Sequence, residues 1–191
     1  VRVIVWCPGH TLHRQLDKAL DLFAVYGVAG VKVDFFGRED QTGIRMYQDI
    51  AKATAKRKML VNFHGCAKPT GLSRTYPNAI NYEAVAGNEW NKLSKDKVTI
   101  AHRIMLPFTR GLQGPMDFTP GGMRNVQSGH KLRMTLPEVH GSRSGEMAMF
   151  VLYNEPLKML CDAPSVYDRE PEITSFISKI PTTWDETKVI E

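Results

Sequence analysis

Long apolar runs, clustered charge and paired cysteines are all missing from this 191-residue sequence. No stretch approaches the ~20 apolar residues that a membrane helix needs, and the first residues lack the charged-then-apolar order of a signal peptide. No block of like charges occurs among the 25 Lys+Arg and 20 Asp+Glu residues, and the basic residues are not interleaved with aromatics. The net charge of +5 therefore reads as a mildly basic solvated surface, not a nucleic-acid footprint. Cys7, Cys66 and Cys161 are odd in number and lack C-x-x-C spacing, which argues against a disulfide scaffold and a cysteine-rich zinc site. There is no H-E-x-x-H, no Gly-rich phosphate turn after a strand, and Gly71-Leu-Ser73 is not a nucleophile elbow. What remains is ordinary globular composition, with 42% hydrophobic residues and room for one sizeable core.

The patterning that is present alternates strand and helix. Residues 1–6, 28–34 and 58–63 are apolar and rich in β-branched side chains, as buried strands are. Between them, Thr11 is placed to cap a helix carrying Leu12, Leu16, Leu20 and Phe23, with Gly27 as its stop. Ile44, Tyr47 and Ala51 mark a second helix. Further on, residues 65–78 and 106–122 read as long loops. Residues 147–154 read as a helix, residues 157–161 as a strand and residues 172–180 as the last helix. Regular β/α units with continuous apolar strands imply a parallel sheet in an α/β fold. A (β/α)8 TIM-type barrel fits better than an open doubly wound sheet. However, six plausible strands are too few, and a complete barrel takes at least ~200 residues. The expectation is an incomplete barrel whose first strands are missing, with an open sheet edge beside residues 1–6.

Polar residues gather where these strands end. Lys32 and Asp34 lie two apart and share one face, opposite Val31 and Val33. An ammonium beside a carboxylate favours the ionised form that a nucleophile requires, although a structural ion pair fits equally well. Asn62 and His64 repeat the pattern on the next strand. Glu83 and Glu89 flank Ala-Val-Ala-Gly, where paired carboxylates can hold a hard cation or act as general acid and base; solvated loop charges are the plainer reading. His10 and His13, three apart, are a weak signal. A Schiff-base role for Lys32 conflicts with the neighbouring Asp34, which would hold the amine protonated.

Six segments taken together resemble glycoside hydrolase family 97. They are Gly30-Val-Lys-Val-Asp-Phe-Phe36, Val61-Asn-Phe-His-Gly65, Lys68-Pro-Thr-Gly-Leu-Ser-Arg-Thr-Tyr-Pro-Asn78, Phe108-Thr-Arg110, Gly114-Pro-Met-Asp-Phe-Thr-Pro-Gly121 and Thr183-Trp-Asp-Glu-Thr187. They keep their order across most of the chain. The resemblance implies an N-terminal β-sandwich, a catalytic β/α barrel and a small C-terminal β domain, with residues 1–191 covering the barrel from about strand three onward. The family contains inverting α-glucosidases and retaining α-galactosidases. Inverting members carry base glutamates at the ends of strands three and five; here those ends read Trp6-Cys-Pro-Gly9 and His64-Gly65, while strand four supplies Asp34. That is similar to the retaining pattern.

By this resemblance Asp34 matches the nucleophile, Glu89 the general acid/base, and Glu83 and Glu89 two calcium ligands. His64 matches a sugar-contacting histidine, and Lys32 bonds a substrate hydroxyl. One departure is Gly145, which stands where a basic residue usually precedes position 146. The implied activity is that of a retaining exo-α-glycosidase, an α-galactosidase with calcium, acting on α-galactoside oligosaccharides in the bacterial periplasm or outer envelope. The isolated chain is expected to be weak or inactive. The competing readings are an α-glucosidase of the same family and a sugar-binding module without turnover.

Overall fold

The apolar stretches of the N-terminal half become strands, and the amphipathic stretches between them become the helices that cover one side of a sheet. The computed structural model describes every residue except 95, 128–129, 134, 137 and 189–191, and the chain forms two units, Val1–Ala84 and Val85–Glu191.

The first unit runs β1 (Ile4–Pro8), α1 (Gly9–Arg14), α2 (Leu16–Val25), β2 (Gly30–Asp34), α3 (Gln41–Lys56), β3 (Leu60–Phe63), α4 (Leu72–Thr75) and β4 (Ala79–Tyr82). The strands are parallel and lie in chain order. The register sets Trp6 beside Lys32, Lys32 beside Asn62, and Asn62 beside Asn81. Because successive side chains alternate between faces, Val31, Val33, Val61 and Phe63 all point to the helical side. There they are fully buried against Leu12, Leu20, Phe36 and Ile50. Phe36, Tyr47 and Phe63 pack ring against ring at 4.2–5.7 Å. The other face of the same sheet carries Trp6, Lys32, Asp34, Asn62 and Asn81. β1 is an edge of this sheet, with Val3 and Trp6 exposed, as expected for residues 1–6.

Three local expectations are corrected in this unit. Thr11 does not cap a helix: α1 already starts at Gly9 behind Pro8, and the helix breaks at Gln15 before restarting as α2. Pro8 is the N-cap, still extended at φ −68° and ψ 138°, and the helix starts at Gly9, so Thr11 falls inside α1. Asp40 is the unit's side-chain cap, accepting the Gly43 N–H at 3.0 Å. The hydrogen bond from Arg38, then the Gly43 amide, holds its carboxyl down to about 2. The loop read over 65–78 contains α4 and feeds β4, a strand that four residues of sequence do not announce. Asn78 secures this turn: its Nδ2 donates to Ala51 O, Thr54 Oγ1 and Met59 O at 2.9–3.2 Å.

In the second unit a 3-10 turn at Asn88–Lys92 precedes α5 (Ile100–Met105). Two more 3-10 turns follow at Leu106–Phe108 and Arg110–Gln113, then β5 (Arg124–Val126), β6 (Glu138–His140), α6 (Arg143–Leu152), α7 (Pro164–Tyr167) and α8 (Pro171–Lys179). Here α6 begins before the expected 147 because Ser142 Oγ caps it, accepting from Gly145 N–H at 3.1 Å. The strand expected over 157–161 is irregular chain, bracketed by Pro156 and Pro164. The second sheet is instead β5 and β6, parallel and three residues each. Met116, Phe118, Met149 and Tyr153 belong to one buried cluster of this unit, and Met123, Val166 and Tyr167 to another. The α/β class with parallel strands is the observed one.

Candidate active site

Three parallel strands of the first unit end at neighbouring positions, so the residues just past those ends converge. The ladder continues one step beyond β3 and β4: His64 N–H donates to Val33 O and Glu83 N–H to Phe63 O, both at 2.8 Å. The imidazole Nδ1 of His64 lies 3.2 Å from Asp34 Oδ2 and 3.4 Å from Glu83 Oε2. Only 8% of the Asp34 side chain is exposed, and 16% of Glu83, so both carboxylates depend on protein donors. At Asp34, Trp6 Nε1–H donates to Oδ2 at 3.0 Å and the Phe35 N–H to Oδ1 at 2.7 Å. Glu83 Oε2 accepts the Gly65 N–H at 2.8 Å. An Nδ1–H tautomer of His64 can serve either carboxylate.

Gly65 makes this closeness possible. Its φ is +47°, and a Cβ there would sit 2.6 Å from Asp34 Oδ1 and 2.9 Å from the Phe35 nitrogen. No side chain fits while Asp34 keeps its position. Phe35 itself has φ +57°, a left-handed conformation that is strained for a bulky residue and occurs at functional sites. Its ring is exposed and meets Trp6 edge-on, with centroids 6.0 Å apart.

The structure thus brings together Asp34, His64 and Glu83, with Lys32 half-buried two residues before Asp34 on the same face. Glu89 belongs to the second unit, exposed in the first turn of Asn88–Lys92. His10 and His13 have structural partners, Phe36 O at 2.8 Å and Asp49 Oδ2 at 3.0 Å. Burial pushes the Cys7 thiol up to about 11, away from the reactive thiolate form. Sequence reasoning missed the indole donor. Its signal was the register, since a Trp paired with Lys32 lies two positions from the Asp34 step and so on the same face of the adjacent parallel strand, within reach of the carboxylate.

Glu83 in the first unit and Glu89 in the second each carry carboxylate oxygens, the hard donors that calcium takes.

The family model for Glycoside hydrolase 97 matches residues 1–85. Beyond residue 85 the chain stays similar to solved enzymes of that family. The retaining α-galactosidase of Bacteroides thetaiotaomicron is 42% identical over 193 residues, covering 100% of this chain and 29% of that protein. A Streptomyces bingchenggensis protein named probable retaining α-galactosidase is 37% identical over 184 residues, covering 93% of this chain and 27% of its own. Among solved structures, a glycoside hydrolase family 97 enzyme from Pseudoalteromonas sp. strain K8, in complex with panose, superposes with a TM-score of 0.84 at 29% identity. That match covers 97% of this chain and 31% of the other. The chain therefore spans less than a third of the length of these relatives.

Proposed function

We propose that the whole protein carrying this chain is a retaining exo-α-glycosidase that removes terminal α-linked galactose, with Asp34 as nucleophile and Glu89 as general acid/base. The observation that carries this reading is the contact between Gly65 and Asp34. The inverting pattern of the resemblance has glutamate at position 65, and here a side chain at 65 would take the space of the Asp34 carboxylate. The names of the two curated relatives support the same branch and sugar.

In the first step the Asp34 carboxylate attacks the anomeric carbon. The bond to the leaving oxygen breaks, and Glu89 gives its proton to that oxygen. Glu89, now a carboxylate, takes a proton from water, whose oxygen displaces Asp34 from the sugar and restores the starting configuration. The N–H groups of Trp6 and Phe35 aim the two oxygens of Asp34, so the attacking geometry is set before substrate arrives. His64 contacts the sugar and Lys32 donates to one of its hydroxyls. Glu83 and Glu89 are the residues that would hold calcium, which supplies fixed positive charge for orienting oxygen atoms.

We read β1 to β4 as strands of an incomplete (β/α)8 barrel starting at about strand three, with the family's β-sandwich and C-terminal β domain outside this chain. The one-third coverage of the solved relatives supports that division. The partner is an α-galactoside oligosaccharide, the setting a bacterial periplasm or outer envelope. Among the described residues no helix is long and apolar enough to cross a membrane.

Nitrophenyl α-galactoside and α-glucoside hydrolysis by the whole protein tests the reading. Faster turnover of the galactoside is expected, falling on chelation and returning with calcium. Preference for the glucoside would replace the assignment with an α-glucosidase, and sugar binding without turnover would leave a binding module. A second expected outcome concerns position 65. Gly65→Ala places a Cβ in the left-handed region at a cost of about 1–2 kcal/mol and displaces Asp34. We expect kcat to fall about 100-fold while thermal unfolding shows a folded protein; unchanged kcat would mean that the contact with Asp34 does not matter.

A further inference from the structure

The second unit contains a buried charge pair that neither the motifs nor the proposed chemistry uses. Glu146, on α6, is fully buried, and Arg103, on α5, nearly so. The Arg103 Nη1 donates to Glu146 Oε1 at 2.6 Å and to His140 O at 2.7 Å. The other oxygen of Glu146 accepts the main-chain N–H groups of Gly121 and Gly122, at 2.9 and 3.0 Å, and the Asn88 Nδ2 at 2.9 Å. Burial pushes the Glu146 carboxyl up, while Arg103, the two amides and Asn88 pull it back. Asn88, Arg103 and the Gly121–Gly122 turn, three segments distant in sequence, are thereby tied to one carboxylate on α6, at a desolvation cost.

The tie ends beside Glu89. Asn88 is buried and held on all sides: Nδ2 by Glu146, Oδ1 by Arg103 Nη2 at 3.3 Å and Asn91 Nδ2 at 3.4 Å, and its N–H by Phe118 O at 2.9 Å. Gly87 closes the turn against the same carbonyl, since a Cβ there would meet Phe118 O at 2.4 Å. The residue after Asn88 is Glu89, exposed in a 3-10 turn of five residues that is too short to fix its own direction.

We propose that Asn88, Arg103 and Glu146 are positioning residues that set the direction of Glu89, so that its proton reaches the leaving oxygen. The inference rests on the acid/base reading of Glu89 and deepens it. A 1 Å misplacement of a catalytic group can cost about 100-fold in rate, and it costs most where proton transfer is most needed.

The test compares kcat/KM for methyl α-galactoside, whose leaving oxygen must be protonated, with kcat/KM for 2,4-dinitrophenyl α-galactoside, whose leaving oxygen need not be. In the whole protein, Asn88→Ala should lower the first about 10- to 100-fold and the second less than about 3-fold. Glu146→Gln, nearly the same shape, should give the same signature and stands in if Asn88→Ala does not fold. Thermal unfolding measures the folded fraction of each. Equal losses on both substrates, or none, would mean a structural network only and overturn the proposal. Glu89→Ala is assayed beside them. If it shows the leaving-group dependence and the other two do not, the positioning role falls while Glu89 keeps its own. If Glu89→Ala shows none, the acid/base reading fails and the positioning role fails with it.

Discussion

Asp34→Gly is expected to lower turnover of nitrophenyl α-galactoside by more than about a thousand-fold, and added azide is expected to restore part of it. The carboxylate leaves a gap lined by the Trp6 indole N–H, the Phe35 N–H and His64, donors suited to a small anion. Azide in that gap attacks from the face that Asp34 would use, so the rescued product is the β-galactosyl azide. Asp34→Asn fills the gap and should be equally inactive but without rescue. Wild-type turnover in either variant would remove Asp34 from the mechanism.

The second large effect is expected at Glu89. Glu89→Ala should lower kcat/KM for methyl α-galactoside about a hundred- to ten-thousand-fold, the usual range for a general acid. The dinitrophenyl substrate should still form the galactosyl-enzyme. Azide then attacks that intermediate from the side the leaving group vacated and gives the α-galactosyl azide. The two variants should thus yield azides of opposite configuration. The same anomer from both would mean that at least one of the two roles is misassigned.

The candidate site was legible in part because strand chemistry is local. A period of two puts Lys32 and Asp34 on one face, the next strand repeats this with Asn62 and His64, and parallel pairing does the rest. The helices were legible where an apolar stripe recurs, as in Ile44, Tyr47 and Ala51 of α3. Failures fell where a distant partner decides the outcome. The strands β4 to β6 are three or four residues long and carry polar positions such as Arg124, Asn125 and Glu138, so nothing local separates them from loop. Residues 157–161 have strand-like composition, but among the described residues no strand pairs with them. Glu146 looks like the polar position of an amphipathic helix, and its partner Arg103 is 43 residues away. Gly65 was visible as a missing side chain, but its near-contact with Asp34 needs coordinates to be seen.

The central claim is double displacement at Asp34, and the stereochemistry of the first-formed sugar tests it most directly. Proton NMR of the whole protein acting on an α-galactoside, recorded before mutarotation equilibrates the product, distinguishes the two anomers by their H1 signals. The account predicts that α-galactose appears first and the β-anomer only later, by mutarotation. Initial release of β-galactose would mean a single displacement by water and would contradict it.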